Sequence, residues 1–270
     1  MTPLLEAQRL TKRYSASREI MSGESQNASS MIMAVDSVSF KVAKGETLGL
    51  VGQSGSGKTT VGKLVLRLEY PSEGRILYEG EDIHLFKRKR LRDFRSKVQM
   101  IFQDPYESLD PRLSLRSSLE EPLIVHGIRS RSEKTLRVED VLTKVGLTPP
   151  QRFLKLRPDQ LSGGQRQRAA IARSLILQPE LVVADEPVSM LDVSVSAEIL
   201  NLMLELKRSM NIAYLFITHN LPHAAYFCDR ICVMRQGQIV EEGTAENVLR
   251  HPEADYTKTL ISSIPLYPHQ

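Results

Sequence analysis

The hydrophobic positions of this chain fall into short continuous runs separated by longer amphipathic stretches. Continuous apolar runs, which are typical of strands buried on both faces, occupy residues 48–51, 181–184 and 213–217. Residues 60–66 and 197–208 instead space their apolar side chains at the helical period. Strands that alternate with helices in this way predict a parallel sheet with helices on both of its faces.

Other segments predict strands with a more mixed pattern. Residues 4–14 are expected to form an edge strand, and residues 231–240 predict a hairpin around the pair Gln236-Gly237. The serine-rich stretch 15–33 interrupts the strand pattern and predicts a flexible insertion or loop. Short or alternating strands are also expected at residues 34–42, 74–80 and 98–102.

A long stretch in the middle of the chain is mostly helical in pattern. It runs from about residue 104 to about residue 172, and Pro122, the Pro149-Pro150 pair and Pro158 are expected to divide it into short elements. The sequence contains no internal repeat. The pattern therefore predicts one α/β unit over residues 1–270, with a helical insertion in its middle.

Composition narrows the possible classes of protein. Hydrophobic residues make up 41% and charged residues 25% of the 270 positions, as in ordinary globular proteins. No apolar run approaches the roughly 18 residues that a membrane helix needs, and the N-terminus lacks a charged-then-apolar signal pattern. Two cysteines without such a signal suggest a reducing cytosol. Cys228 and Cys232 are expected to be small buried hydrophobes rather than metal or redox groups.

The formal net charge is +4, and basic residues cluster at 87–97. A nucleic-acid stripe is one interpretation of this cluster, and the exposed face of a short helix is the other. Aromatic residues that could stack on bases are not interleaved with these charges. The exposed helix face is therefore favoured, and no nucleic-acid partner is expected. The cluster comprises Lys87, Arg88, Lys89, Arg90, Arg92, Arg95 and Lys97.

Residues 52–59 read Gly-Gln-Ser-Gly-Ser-Gly-Lys-Thr, which matches the phosphate-binding loop G-x-x-x-x-G-K-[ST]. The loop follows a predicted strand and precedes a predicted helix, so backbone N–H groups and the helix N-terminus should meet anionic oxygens there. Lys58 is expected to reach the β- and γ-phosphates, and the Thr59 hydroxyl to ligate Mg²⁺. The predicted phosphate-site residues are Gly52, Gln53, Ser54, Gly55, Ser56, Gly57, Lys58, Thr59 and Thr60.

Polar side chains follow three of the other predicted strands. Asp185 and Glu186 come directly after the strand at 181–184, at the edge where α/β sheets bind ligands. Asp185 is expected to hold Mg²⁺ through water, and Glu186 to act as the general base toward the attacking water. His219 follows the strand at 213–217 and is expected to contact the γ-phosphate. Gln103 follows the strand at 98–102, where a catalytic contact of its amide with Mg²⁺ or the attacking water and a plain loop role both remain open.

A second candidate anion site lies at 161–165, where Ser162 is a plausible helix N-cap. Glycines at a helix start expose N–H groups that favour anions, although a simple glycine cap explains the local pattern equally well. Two phosphate-binding helix starts in one chain suggest that the second serves the nucleotide of another molecule. Its predicted residues are Ser162, Gly163, Gly164 and Gln165.

Taken together, these residues resemble the ATP-binding subunits of ABC transporters along essentially the whole chain. Walker A is matched by residues 52–59, the Q-loop by Gln103, the signature motif by 161–165, Walker B by 181–185, the catalytic glutamate by Glu186, the D-loop by 189–192 and the switch histidine by His219. Tyr14 falls where the family stacks an aromatic ring on adenine. The resemblance implies a P-loop NTPase fold of the RecA-like type, with a mostly parallel sheet, an antiparallel β edge and an inserted helical subdomain.

The resemblance narrows to the importer branch for oligopeptides, dipeptides and nickel. The stretches 45–52 and 102–112 and the tail at about 250–270 look like this branch, and the 15–33 insertion looks like the second of its two ATPase subunits. Some relatives carry a cysteine-rich tail that binds an iron–sulfur cluster. Since this tail has no cysteine, no cluster is expected.

The resemblance also implies cofactors, partners and location. ATP and Mg²⁺ are the expected cofactors. A second ABC ATPase subunit, as homodimer or heterodimer, and two membrane permease subunits are the expected partners, with an extracytoplasmic peptide-binding protein delivering cargo. Closure of the two ATPase subunits on two ATP molecules should move the helical insertion against the permeases. The chain is then expected at the cytoplasmic face of the cell membrane.

Three alternatives stand beside this interpretation. A soluble ABC ATPase of repair or translation usually carries coiled coils, zinc-binding cysteines or two nucleotide domains, which this sequence does not contain. An importer for another cargo, such as nickel, would share the same ATPase sequence features. A nucleotide kinase is disfavoured by residues 161–165 and by His219.

Overall fold

The computed structural model describes residues 3–15 and 31–263, which form two β-sheets with flanking helices. The strands of this part of the chain are β1 (Leu5–Ser15), β2 (Met31–Val42), β3 (Thr47–Val51), β4 (Glu73–Tyr78), β5 (Glu81–Asp82), β6 (Val98–Ile101), β7 (Leu181–Asp185), β8 (Ala213–Thr218), β9 (Arg230–Arg235) and β10 (Gln238–Thr244). The helices are α1 (Lys58–Val65), α2 (Arg88–Lys97), α3 (Leu115–Val125), α4 (Arg131–Lys144), α5 (Gly163–Leu175), α6 (Val193–Met210), α7 (Leu221–Phe227), α8 (Ala245–Arg250) and α9 (Asp255–Ser262).

The larger sheet has the strand order β10-β9-β3-β8-β7-β6. Its strands β9, β3, β8, β7 and β6 run parallel, and β10 turns back antiparallel to β9. This arrangement confirms the predicted parallel sheet and the hairpin around Gln236-Gly237. Because the parallel strands share one direction, the residues that follow β3, β6, β7 and β8 emerge at the same edge of the sheet.

Both faces of this sheet are buried, as the continuous apolar runs predict. Along β7, Leu181 and Val183 pack in one core with residues of α1, β1 and β2, whereas Val182 and Ala184 pack in the other core with residues of α5 and α6. Two hydrophobic cores therefore hold the sheet between a layer that contains the smaller sheet and a layer of helices.

The smaller sheet is antiparallel, with the order β2-β1-β4-β5. The prediction of an edge strand at 4–14 is wrong, because β1 lies between β2 and β4. Alternating burial occurs in edge and inner strands alike when one face is solvated, so the pattern could not separate the two. The predicted loop at 15–33 is also too long, since Ser15 pairs with Met31 and residues 31–33 belong to β2. The interior of that stretch, residues 16–30, lies outside the described residues.

The helical insertion lies between β6 and β7 and contains α3, α4 and α5, with 3₁₀ turns at Pro150–Arg152 and Pro158–Gln160. Pro122 does not divide it as predicted, because this proline lies inside α3. A proline in a helix removes the N–H that would bond the carbonyl four residues earlier. Here the guanidinium of Arg173 on α5 donates to the Ser118 carbonyl instead. The replacement donor lets the helix continue through the proline.

Two smaller predictions are confirmed within the described residues. Cys228 and Cys232 are buried and form no disulfide, and burial raises the pKa of both thiols. The basic cluster forms α2, whose charged side chains are mostly exposed while Phe94 packs in the core. None of the helices described for residues 3–15 and 31–263 is long and apolar enough to cross a membrane.

Candidate functional site

The phosphate-loop sequence forms a tight turn between the buried strand β3 and the first turn of α1. Gly55 and Gly57 have φ angles of +79° and +101°, a region that side chains with a Cβ rarely adopt. A Cβ at Gly57 would also collide with the carbonyl oxygen of Ala34 on β2. The glycine at position 57 is therefore required both by the backbone turn and by the close approach of β2.

Lys58 begins α1 and points back over its own loop. Its Nζ donates hydrogen bonds of 2.8 Å to the carbonyl oxygens of Gly52 and Gln53. The residue is only 5% exposed, and burial lowers the pKa of the ammonium against the opposing influence of Glu186 and Asp185. A buried cation in this position is stabilised by an anionic partner, which fits a phosphate-binding role.

Thr59 and Asp185 meet at the carboxyl end of β7. The Thr59 hydroxyl donates a 3.3 Å hydrogen bond to Oδ1 of Asp185. Burial raises the pKa of this carboxyl, which is 5% exposed, and the Thr59 hydrogen bond partly offsets that rise. A buried carboxylate beside a hydroxyl is a set of hard oxygen donors of the kind that Mg²⁺ prefers.

Glu186 joins three strand ends into one cluster. One carboxylate oxygen accepts a 2.8 Å hydrogen bond from Nδ1 of His219, which follows β8. The other accepts a 3.3 Å hydrogen bond from the amide Nε2 of Gln103, which follows β6. Residues that are far apart in sequence are therefore brought together at one edge of the sheet, as predicted from their positions after the strands.

The backbone of Glu186 has a φ angle of +47°, which is uncommon for a residue with a side chain. Its N–H donates to the Ile217 carbonyl on β8 at 2.9 Å, and its carbonyl accepts from the N–H and the hydroxyl of Ser189. Strained backbone of this kind persists where the surroundings fix it, and it clusters at functional sites. The bonds on both sides of the peptide hold the carboxylate in its place.

The loop and the cluster face a common cavity of about 680 Å³. Most of the predicted phosphate-site residues line it, together with Gln103, Glu186 and His219. The sequence did not predict three further lining residues, Ala34, Leu260 and Ser263, because no site motif includes them. The lining consists of Ala34, Gln53, Ser54, Gly55, Gly57, Lys58, Thr59, Thr60, Gln103, Glu186, His219, Leu260 and Ser263.

Gly52, Ser56 and Asp185 do not line the cavity themselves. Gly52 lies against the Met234 carbonyl, where a Cβ would collide. Ser56 is buried, and its carbonyl accepts a 3.0 Å hydrogen bond from the N–H of Gly237. Asp185 lies behind the Thr59 hydroxyl. Gly52 and Ser56 therefore support the loop through contacts with β9 and the turn after it, whereas Asp185 contacts the cavity-lining residue Thr59.

The second candidate anion site lies apart from this cavity, at the start of α5. Ser162 caps the helix by accepting from the N–H of Gln165, and the Gln165 side chain accepts from the N–H of Ser162. Ser162 and Gly163 are exposed, and none of residues 162–165 lines the cavity of the phosphate loop. The predicted N-cap is therefore confirmed, and the exposed helix start takes no part in the cavity of this chain's own loop.

Tyr14 does not line the cavity either. Its hydroxyl donates a 2.5 Å hydrogen bond to Glu69, and the Lys12 ammonium lies 4.9 Å from its ring centroid. Its role in stacking on adenine stays a prediction.

The segment after Gln103 contacts the helical insertion directly. The Arg166 guanidinium on α5 lies 4.4 Å from the ring centroid of Tyr106. The same guanidinium donates to the carbonyl oxygens of Pro158 and Leu161, just before the helix. A displacement of α5 would therefore move Tyr106, which lies three residues after Gln103 in the chain.

In the described part of the chain, no group of three or more His, Cys, Asp and Glu side chains is placed to hold a metal ion. The oxygen donors of Thr59 and Asp185, with the Gln103 amide nearby, are fewer than the six ligands of Mg²⁺. They fit an Mg²⁺ ion that takes its remaining ligands from phosphate oxygens and water.

Comparison with known proteins gives a family match over more than half of the chain. The sequence model of the family described as "ABC transporter" matches residues 35–189. The oligopeptide transport ATP-binding protein AppF of Bacillus subtilis (strain 168) is 46% identical over 92% of this chain and 75% of its own length. The oligopeptide transport ATP-binding protein OppF of Streptococcus mutans is 46% identical over 87% of this chain and 76% of its own length.

A longer relative and a solved structure extend the comparison. The glutathione import ATP-binding protein GsiA of Pectobacterium atrosepticum is 45% identical over 98% of this chain, which spans 41% of that relative. The ATP-binding cassette MJ0796, solved as a dimer in a post-hydrolysis state with ADP and phosphate, is 29% identical and covers 89% of this chain and 98% of its own, with a TM-score of 0.75. The two folds therefore agree over most of the described residues.

Proposed function

The chain belongs to the ABC transporter family as an ATP-binding ATPase, and on that premise we propose that it drives a membrane importer of oligopeptides or dipeptides. The observation that carries the ATPase chemistry is the convergence of Gln103, Glu186 and His219 beside the phosphate loop. We further propose that residues 1–270 form one ABC domain, with a helical subdomain at about 104–172 and a tail at about 250–270.

The phosphate end of ATP is proposed to lie against residues 52–60. Backbone N–H groups of the loop and the start of α1 meet the phosphate oxygens, and Lys58 contributes a buried cation to the β- and γ-phosphates. Thr59, Asp185 and Gln103 would hold Mg²⁺, which neutralises developing charge on the phosphates. Tyr14 is proposed to stack on the adenine ring.

Glu186 is proposed to accept the proton of the attacking water. Its two carboxylate oxygens are already engaged by His219 and Gln103, so the side chain is held in one orientation. Since an ionised carboxylate only accepts, Nδ1 of His219 carries the hydrogen in their contact. His219 thereby orients the base and contacts the γ-phosphate, while Gln103 links the base to the segment that meets the helical insertion.

Residues Ser162, Gly163, Gly164 and Gln165 are proposed to complete the ATP site of a partner ATPase subunit. They lie outside this chain's own cavity, Ser162 and Gly163 are exposed at the helix start, and the structurally similar cassette MJ0796 was solved as a dimer. Two subunits that close head to tail would place each such helix start on the γ-phosphate of the other subunit's ATP. The partner is either a second copy or a related chain.

A second cavity, of about 410 Å³, lies between the sheet and the helical insertion. Leu68, which follows α1, and Phe102, which follows β6, form one wall, and Val125 of α3 and Arg173 of α5 form another. Leu68 and Val125 are 58% and 64% exposed. We propose that a cytoplasmic segment of one of the two permease subunits docks here, because helices of the insertion form one wall and a movement of the insertion would change the width of this cavity.

Peptide cargo is proposed because relatives that cover most of this chain are named for oligopeptide transport. An extracytoplasmic binding protein would deliver that peptide, and the ATPase subunit would work at the cytoplasmic face of the membrane. An importer for another cargo is the second candidate, and the relative named for glutathione import favours a small peptide-like alternative.

Copurification tests this assignment. The chain is tagged in its native cell, membranes are solubilised gently, and the proteins that copurify are identified by mass spectrometry. Two polytopic permeases and a second ATPase subunit are expected. Recovery only in the soluble fraction, with nucleic acid or ribosomal proteins, would contradict the importer assignment and favour a soluble ABC ATPase.

A further inference from the structure

The C-terminal helix α9 lies directly against the phosphate loop. The N–H of Gln53, the second residue of the loop, donates a 3.3 Å hydrogen bond to the Tyr256 hydroxyl. The carbonyl of the same Gln53 accepts the 2.8 Å hydrogen bond from Lys58. Tyr256 therefore binds the N–H of Gln53 and Lys58 binds its carbonyl, and together they fix the orientation of the loop's first turn.

Tyr256 is itself held in place by neighbours outside α9. The Arg235 guanidinium, at the end of β9, lies 5.0 Å from the centroid of the Tyr256 ring. The start of α9 is fixed to β10, because the Glu241 carboxylate accepts from the N–H groups of Glu253 and Ala254. The hydroxyl that meets the loop is therefore carried by an anchored element.

The same face of α9 continues into the nucleotide cavity. Residues four and seven positions after a helical residue lie on its side of the helix, and the residues at these distances from Tyr256 are Leu260 and Ser263. Leu260, in the last turn of α9, and Ser263, at its C-cap, both line the cavity with Lys58 and Thr59. One face of α9 thus runs from the outer side of the loop to the wall of the cavity.

We propose that α9 is a working part of the nucleotide site, in which the Tyr256 hydroxyl positions the phosphate loop and Leu260 forms a wall beside the bound nucleotide. Tyr256 is a positioning residue, since it touches the loop and acts through it. The inference rests on the proposed role of residues 52–60 in holding ATP, and it is independent of the cargo.

Replacement of Tyr256 by phenylalanine removes the hydroxyl and keeps the ring that stacks on Arg235. The experiment measures the ATPase activity of the copurified complex as a function of MgATP concentration. Since a typical hydrogen bond contributes about 0.5–1.5 kcal/mol, the expected rise in KM is about 2–10-fold. The expected kcat stays near that of the wild type, because the Tyr256 hydroxyl bonds to Gln53 and Tyr256 does not line the cavity where Glu186, His219 and Gln103 meet.

Tyr226→Phe is the matched control. It removes a hydroxyl that donates to Asn201 on α6, away from the loop, and should leave KM unchanged. Leu260→Ala provides a second arm, because loss of the cavity wall should also raise KM. If Tyr256→Phe and Leu260→Ala both keep the wild-type KM, or if they change only the melting temperature, the inference is overturned.

Lys58→Ala, measured in parallel, separates this inference from the assignment on which it rests. If Lys58→Ala weakens nucleotide binding while Tyr256→Phe and Leu260→Ala leave KM unchanged, the loop holds ATP and α9 has no part in it. If Lys58→Ala also binds normally, the role of the loop itself is wrong.

Discussion

Replacement of Glu186 by glutamine tests the proposed base without changing the shape of the site. The carboxylate accepts from His219 at 2.8 Å and from Gln103 at 3.3 Å. The glutamine amide has the same size and keeps one acceptor oxygen. The Gln103 amide can turn so that its own oxygen accepts from the new NH₂ group. The substitution therefore removes the ability to take a proton and little else.

The magnitude follows from this single loss. A positioned general base contributes roughly 10²–10⁴-fold to a rate, which corresponds to about 3–5 kcal/mol of the activation barrier. We therefore expect kcat to fall by about that factor. The contacts of Lys58 and Thr59 are untouched, and the site loses one negative charge beside the phosphates. MgATP affinity should accordingly stay within about threefold of the wild type, which is less than 1 kcal/mol, or become tighter.

Two assays separate binding from turnover. Phosphate release from the copurified complex gives kcat, and titration with a fluorescent ATP analogue gives the affinity. Glu180→Gln is the matched control, because Glu180 immediately precedes the first residue of β7, at the end of the strand far from Glu186. Its carboxylate accepts a 3.0 Å hydrogen bond from Tyr78 and pairs with Lys97 at 2.9 Å. That variant should turn over normally. A kcat for Glu186→Gln within about threefold of the wild type would refute the assignment of the base.

Three further predictions concern other parts of the molecule. Lys58→Ala should weaken MgATP binding by about 10–100-fold, as expected for the loss of a charged hydrogen-bond donor, and an unchanged affinity in equilibrium titration would contradict its phosphate contact. Ser162→Arg should leave ATP binding to the isolated chain intact and block turnover of the complex; normal phosphate release by the complex would argue against a site shared between two subunits. Arg173→Met should lower the free energy of unfolding by about 1–3 kcal/mol, measured by urea denaturation, because the Ser118 carbonyl loses its donor. Pro122→Ala should restore much of that stability in the double variant by returning an N–H to the helix, and an equal loss in both backgrounds would count against this explanation.

Local sequence patterns were sufficient to predict much of the fold and most residues of the candidate site. The run 181–184 is apolar at every position and is followed at once by two carboxylates, so both the buried strand and its functional end could be predicted. The glycines of residues 52–59 similarly indicate a tight loop, in which Gly55 and Gly57 adopt positive φ angles. In these cases the physical cause lies within a few neighbouring residues.

Features that depend on distant partners could not be predicted in the same way. The inner position of β1 is decided by β4, more than fifty residues further along the chain. Pro122 lies within a helix in which Arg173 of another helix supplies a donor to the Ser118 carbonyl. The contact of α9 with the loop joins Gln53 to Tyr256, and neither residue carries a local pattern that points to the other. Each of these outcomes is a property of packing rather than of periodicity.

Gln103, Glu186 and His219 meet at the edge of the sheet formed by the carboxyl ends of the strands. Insertions and deletions should therefore be tolerated less at this edge than at the opposite one. Strand register fixes these side chains, so one residue inserted within β8 would carry His219 away from Glu186. An insertion in the connection between α6 and β8, at the opposite edge, would leave both in place. Changes of chain length should therefore accumulate at the edge opposite the site, and the lengths of β6, β7 and β8 before their polar residues should be nearly constant among active descendants of this gene.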